Sequence, residues 1–244
     1  MSVTFEKYKD SEVRGRIVNH NNRKYKQNKN GNPIIPKHIN TKKSNENYSI
    51  PLPHRKIKGF HIPPKPPLAD YEYYEKRRDE VFRIQRKNIK TAIGAIVTPP
   101  NNLAPERYKD FFNKTFEFLY RRFGGVDGEN IINATVHFDE MGINEQGTTK
   151  PHLHFAFLPI VPNPSKRGGK SEKLSAKDVI HKGSLFKFHR EYREYLISVG
   201  LKDVAESMYT GITKAQGGSR TVAELKRATE AGRRISVERV QYGR

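Results

Sequence analysis

The 244-residue sequence predicts an α+β fold, with helices packed on one face of a mainly antiparallel sheet. Three observations predict it. Residues 105–123 and 184–199 carry apolar side chains at helical spacing. Residues 92–98, 131–139 and 152–159 read as short strands, and the elements follow one another in an order that lets neighbouring strands pair. Hydrophobic residues make up 34% of the chain, with thirteen Phe and twelve Tyr, which is enough to fill a core and excludes wholesale disorder.

Cysteine is missing, which excludes a disulfide framework, a thiolate metal site and a cysteine nucleophile. Histidines, carboxylates and hydroxyls are left to carry any chemistry. With 46 Lys+Arg against 26 Asp+Glu, the formal net charge of +20 implies a polyanionic partner. No apolar stretch follows the N-terminal charges and no long apolar run occurs elsewhere. Neither a signal peptide nor a membrane span is expected, membrane association is not indicated, and a cytoplasmic location is the default.

In chain order, residues 1–69 read as a basic N-terminal segment, residues 70–205 as the α+β core and residues 206–244 as a C-terminal helical tail. Residues 1–70 hold fifteen Lys/Arg and five Asp/Glu, half of the net charge. Within them, residues 19–47 are dominated by Asn, Lys and Gly and predict a loop, or an arm ordered by something else. Six prolines between residues 50 and 67 remove amide donors and favour an extended connector. Residues 71–90, rich in Glu, Arg and Lys with Tyr74, Val81 and Ile84 at helix-compatible spacings, predict a mostly exposed helix. The apolar run 92–98, closed by Pro99-Pro100-Asn101-Asn102, predicts a buried strand. Tyr108, Phe111, Phe112, Thr115, Phe116, Leu119 and Phe123 share one stripe of the helix over 105–123, which Gly124-Gly125 ends. Leu185, Phe188, Tyr192, Leu196 and Val199 do the same over 184–199, with Gly200 as the stop. A weaker helix is expected over 221–231.

The chemistry concentrates in two strands. Over 131–140, Ile132, Ala134, Val136 and Phe138 alternate with Asn133, Thr135, His137 and Asp139, so one face is core and the other wet. In Pro151-His152-Leu153-His154, the two imidazoles leave one face about 6.6 Å apart along the strand. If the two strands pair as antiparallel neighbours, His137 lies across from that pair. His137, His152 and His154 then offer three nitrogen ligands to one ion, with open positions for a substrate. Asp139 and Glu140 stand at the strand exit, where a carboxylate can orient an imidazole or serve as base. His54, His61, His181 and His189 have no such company and read as solvent or packing residues.

His137-x-Asp139-Glu140 followed by Pro151-His152-Leu153-His154 resembles the third motif of plasmid mobilisation relaxases of the Mob/Pre type (MobV-like), within the histidine-hydrophobic-histidine endonuclease class. His20-Asn21-Asn22-Arg23 resembles their first motif. His38-Ile39-Asn40 with Asn45-Glu46-Asn47-Tyr48 resembles their second, and Lys173-Leu174-Ser175 with the helix after it resembles their downstream region. The resemblance covers residues 18 to about 200. It implies a DNA strand transferase that nicks one strand at a plasmid transfer origin and stays attached to the 5′ phosphate. It also implies an antiparallel sheet of about five strands with the helices on the face away from the metal. By the same resemblance, His137, His152 and His154 hold Mn²⁺ or Mg²⁺, Glu140 supports or activates the nucleophile and His20 attacks. Arg23 then holds a phosphate or assists the transition state. The partner implied is origin-of-transfer DNA, a hairpin with its single-stranded flank, which Arg14, Arg16, Arg23, Lys24, Lys26 and Lys29 track by its phosphates.

Two departures stand out. Ten residues, Met141 to Lys150, separate the acid from the Pro-His-x-His string, which leaves the roles of Asp139 and Glu140 open. Tyr25 and Tyr48 are further candidates for the nucleophile. A rolling-circle replication initiator or transposase of the same class, and a noncatalytic DNA-binding protein, are the competing functions.

Overall fold

The computed structural model describes residues 1–52, 69–141 and 149–208. Five strands form one antiparallel sheet: β1 (Ser2–Lys9), β2 (Tyr48–Ser49), β3 (Lys90–Thr98), β4 (Ile131–His137) and β5 (His152–Phe157). Their order across the sheet is β1-β3-β5-β4-β2. Besides π-helical and 3-10 turns, the chain forms α1 (Asp10–Glu12), α2 (Asp70–Glu80), α3 (Tyr108–Phe123), a hairpin of β6 (Ile160–Pro162) and β7 (Glu172–Leu174), α4 (Ala176–Val179), α5 (Lys182–Ser198) and α6 (Lys202–Ser207). The expected α+β class and five-stranded sheet are both present.

Alternation along the central strands builds the core. Ile93, Ala95 and Val97 of β3, Leu153, Phe155 and Phe157 of β5, and Ala134 and Val136 of β4 turn to one side. There they meet Phe111, Phe112, Phe118, Leu119 and Phe123 of α3 and Phe188, Tyr192 and Leu196 of α5. Phe123 stacks on Phe157 with ring centroids 4.5 Å apart. This is the helix-covered face the two amphipathic stripes predict. The opposite face is covered too, by Val13, Ile17 and Val18 after α1, by Tyr74 of α2 and by Leu174 of β7, packed on Tyr8, Ala92 and Ala156. Helices therefore flank both faces, the larger pair lying away from the histidines.

Several expectations are corrected. The start of the basic N-terminal segment belongs to the sheet: Ser2–Lys9 pairs with β3 along its whole length as an edge strand, because Val3 and Phe5 alternate onto the core. The helix expected over 71–90 spans only Asp70–Glu80, and its Tyr73, Tyr74, Arg77 and Arg78 are buried. A run of charges there suggests a solvated face, but Arg77 is sunk in the interior, where its Nη2 donates to Glu129, Asn130 and Glu172. Ile132 does not share a face with Ala134. The β4–β5 register shifts between Ile131 and Asn133, and this bulge sends Ile132 to the histidine side. The Pro-rich connector from residue 53, the insertion over 142–148 and the helix over 221–231 lie outside the described residues. Among the described residues no helix is long and apolar enough to cross a membrane.

Candidate metal and nucleophile site

β4 and β5 deliver three imidazoles to one place. His137 lies opposite His152 and Thr135 opposite His154, so all three rings leave the sheet on the same side. A fourth ring arrives from the N-terminus. After α1 the chain continues as π-helical turns, Val13–Asn19, whose C-cap is His20. Such turns recur at functional sites because they redirect the residues after them. Here they bring His20 Nε2 to 3.4 Å from His154 Nε2.

Glu140 stands among these rings. Its Oε1 is 3.2 Å from His20 Nε2, 3.4 Å from His137 Nδ1 and 4.0 Å from His154 Nε2, and its Oε2 is 3.4 Å from His152 Nε2. One ligand atom each from His20, His137, Glu140 and His154 falls within 4.8 Å of the others. His152 borders that group, its Nε2 2.9 Å from His154 Nε2. The predicted trio is thus brought together, with His20 and Glu140 added to it. The cluster opens on a groove of about 540 Å³, walled by Glu6, Arg16, His20, Ile96, Thr98 and His152.

Protonation suits a cation. A carbonyl only accepts, so His137 Nε2–H donates to Asn21 O at 2.9 Å, and Nδ1 keeps its lone pair. That Nδ1 is buried with no hydrogen-bond partner. His152 likewise donates from Nδ1 to Lys150 O at 2.8 Å and aims its Nε2 lone pair inward. Burial lowers the pKa of His137, and burial together with the neighbouring imidazoles lowers that of His154 much further. Both are neutral donors. Burial alone would raise the Glu140 pKa, but His20 Nε2 at 3.2 Å and the Arg23 guanidinium at 2.9 Å hold it below the usual carboxylate range. Two nitrogen bonds of roughly 2.1 Å to one ion need nitrogens about 3.0 to 3.4 Å apart, close to the His152–His154 spacing. An orphaned buried nitrogen, neutral imidazoles and an ionised carboxylate fit a divalent cation.

Asp139 turns away from this cluster and is fully buried. It accepts from Arg23 Nε at 3.1 Å, Ser44 Oγ at 2.8 Å and Asn47 Nδ2 at 2.8 Å, and Arg23 Nη2 bonds it as well. These donors outweigh burial and lower its pKa. Arg23 Nη2 also reaches Glu140 Oε1 at 2.9 Å. Asn47 Oδ1 in turn accepts the Phe138 amide at 2.7 Å, and Asp139 O accepts that of Asn40 at 2.7 Å. One carboxylate therefore clasps both N-terminal motifs to the end of β4. Arg23, expected on a phosphate, has its guanidinium held by two acids. Of the other cations expected on phosphates, Arg16 pairs with Glu6 and Glu12, and Arg14 lies over the Tyr71 ring. Tyr48 pairs with Val136 and lies on the helix-covered face, and burial raises its pKa and that of Tyr25.

Sequence reasoning missed the support beneath the site. Asn21 Nδ2 donates to Asn133 Oδ1 at 2.8 Å, and Asp70 Oδ2 accepts from Asn22 at 2.9 Å and Asn133 at 3.1 Å. Only the wet-face position of Asn133, two residues apart from Thr135 on β4, hinted at it. His181 caps α5 and His189 packs beside Phe188, away from the cluster.

Solved structures share this fold. A MobM relaxase domain bound to a 22-nucleotide plasmid pMV158 oriT DNA, in a Mn-bound crystal structure, superposes with a TM-score of 0.59 at 20% identity, covering 93% of this chain and 98% of that one. The same domain bound to a 26-nucleotide oriT DNA gives 0.54 at 19% identity, with 92% and 98% covered. Those likenesses show the fold. Among curated protein sequences there is no match. Residues 1–204 match the Mob_Pre family, described as plasmid recombination enzymes, and over that span the chain belongs to this family.

Proposed function

We propose that the protein is a plasmid mobilisation relaxase that nicks one DNA strand at a transfer origin and remains joined to the 5′ phosphate through His20. The observation that carries this reading is the convergence of His20, His137, His154 and Glu140 within 4.8 Å at an open groove, in a Mob_Pre chain. His137, His152 and His154 would hold the cation, with Glu140 beside them. When bound, Mn²⁺ or Mg²⁺ offsets the charge of the scissile phosphate.

The protein's own groups supply the rest. A neutral His20 nitrogen attacks phosphorus, the bond to the 3′ oxygen breaks, and the strand leaves as a 3′ hydroxyl after taking a proton. As the N–P bond forms, positive charge appears on the ring, and ionised Glu140 stabilises it from 3.2 Å. Attack by the free 3′ hydroxyl on the phosphoramidate reverses the step. Arg23 positions Glu140 instead of touching substrate. The Pro-His-x-His strand, the His20 turn and the sheet all belong to the catalytic unit in this reading, so residues 1–50 join residues 70–205. A hairpin with its single-stranded flank is the proposed substrate, met in the cytoplasm.

Incubation with Mn²⁺ and a supercoiled plasmid carrying the cognate origin tests this. Nicked circles with protein on the 5′ end, and a mass-spectrometric adduct on the peptide containing His20, are expected. An adduct on Tyr25 would reassign the nucleophile, and metal-insensitive binding without cleavage would favour a noncatalytic DNA-binding protein.

A further inference from the structure

The β6–β7 hairpin carries Pro164-Ser165-Lys166-Arg167-Gly168-Gly169-Lys170, which none of the chemistry above uses. This loop is built around a buried asparagine. Asn163 is 2% exposed, and its Nδ2 donates to the carbonyls of Arg167 at 3.1 Å and Lys170 at 2.8 Å. Its Oδ1 accepts from Ser165 Oγ at 3.1 Å, and its backbone carbonyl takes the Lys166 amide at 2.9 Å. Lys166, Gly168 and Gly169 all have positive φ. Gly168 lies so close to Phe82 that an added Cβ would come within 3.1 Å of the ring. Filling the loop from inside with satisfied hydrogen bonds leaves it one shape.

That shape presents charge. Lys166 and Arg167 are exposed and Lys170 is partly so. Among the described residues no carboxylate comes within 4.0 Å of any of the three. Cations nearby are neutralised, Arg77 by Glu172 and Lys173 by Asp178. We infer that the Asn163-braced loop docks the phosphate backbone of duplex DNA beside the scissile strand, an inference that rests on the relaxase function proposed above. The hairpin shares an apolar cluster with the turns before His20, since Leu174 and Ile160 pack with Val13, Ile17 and Val18. Its root lies beyond Leu158, about 20 Å from His152 at roughly 3.3 Å per residue, the rise of about six base pairs. A double helix holds its phosphates in fixed positions, so it rewards cations that are fixed too.

The test compares a DNA hairpin carrying a single-stranded tail with the tail alone, by fluorescence anisotropy over a salt series, using the full chain. For Lys166→Gln/Arg167→Gln/Lys170→Gln, hairpin affinity is expected to fall about tenfold or more, and the log–log salt slope by about 2 to 3, at roughly 0.9 per phosphate contact. Tail binding is expected to stay at the parental level. Asn163→Ala keeps the charge and frees the loop, so it should weaken hairpin binding less and leave the slope near parental. An unchanged slope on the hairpin, or equal losses on both DNAs, overturns the inference. So does hairpin binding that stands while binding to phosphatidylserine vesicles is lost. Because the readout is binding, a parental protein that binds the hairpin but nicks nothing counts against the relaxase function alone.

Discussion

The two faces of the sheet solve the same burial problem differently. Beneath α3 and α5, Phe155, Phe157, Phe112 and Phe188 are packed by apolar area alone, each losing its contact with water at little polar cost. On the other face His137, Asp139, Asn133 and Thr135 are as deeply buried, and there hydrogen bonds satisfy the polar groups while His137 Nδ1 is left open for a ligand. The teaching is that one face can lose a residue and merely weaken, while the other loses a function. Every other residue of one strand thus serves a different end.

Breaking the histidine face should give the largest effect. His20→Ala should lower Mn²⁺-dependent nicking by roughly a thousandfold or more while leaving the thermal unfolding midpoint near parental. His137→Ala should lose Mn²⁺ binding as read by paramagnetic resonance; nicking at the parental rate in either variant would dissolve the contrast between the faces. The helix face should answer oppositely. Phe188→Ala removes a ring in contact with Phe5, Phe118 and Tyr192, and should cost about 3 to 5 kcal/mol in denaturant titration, with nicking by the folded fraction kept.

Smaller effects sharpen the boundary. Asp139→Asn keeps the shape but weakens the hold on Arg23, so nicking should drop by roughly 10- to 100-fold through misplacement of Glu140. A drop equal to that of His20→Ala would mean that Asp139 meets the reacting groups directly. The mildest test lies at the rim of the polar face, where burial raises the Asp10 pKa but hydrogen bonds from Tyr74 and Arg78 more than offset it, for a net lowering. A carboxyl whose folded pKa is depressed stabilises above its unfolded value, near about 4, and loses that contribution as pH falls through the folded one. The stability advantage of the parent over Asp10→Asn should therefore be full at neutral pH and shrink below about pH 4. An advantage that grows on acidification would contradict the assigned bonds.

Legibility followed the same division. Periodicity disclosed α3, α5 and the three central strands because apolar burial leaves a repeating trace, and the spacing of His152 and His154 disclosed their shared direction. It failed where burial is polar: Arg77 and Arg78 looked like a solvated surface, and the Asp70–Asn133–Asn21 support left no period to read. The role of Asp139 was equally hidden, since its donors come from residues 23, 44 and 47, far away in the chain. β1 escaped notice because an edge strand with charged alternate positions resembles a basic tail. Neighbouring side chains at a bulge, such as Ile132, cannot be phased by simple alternation.

The π-helical turns of Val13–Asn19 act as an angular clock for the segment they precede. An α-helical path advances about 100° per residue, so deleting one residue there would swing the following imidazole a quarter-turn or more around the axis. Length in that stretch is consequently a coordinate of the chemistry, and a single-codon deletion that removes no ligand would disarm the protein as surely as removing a ring.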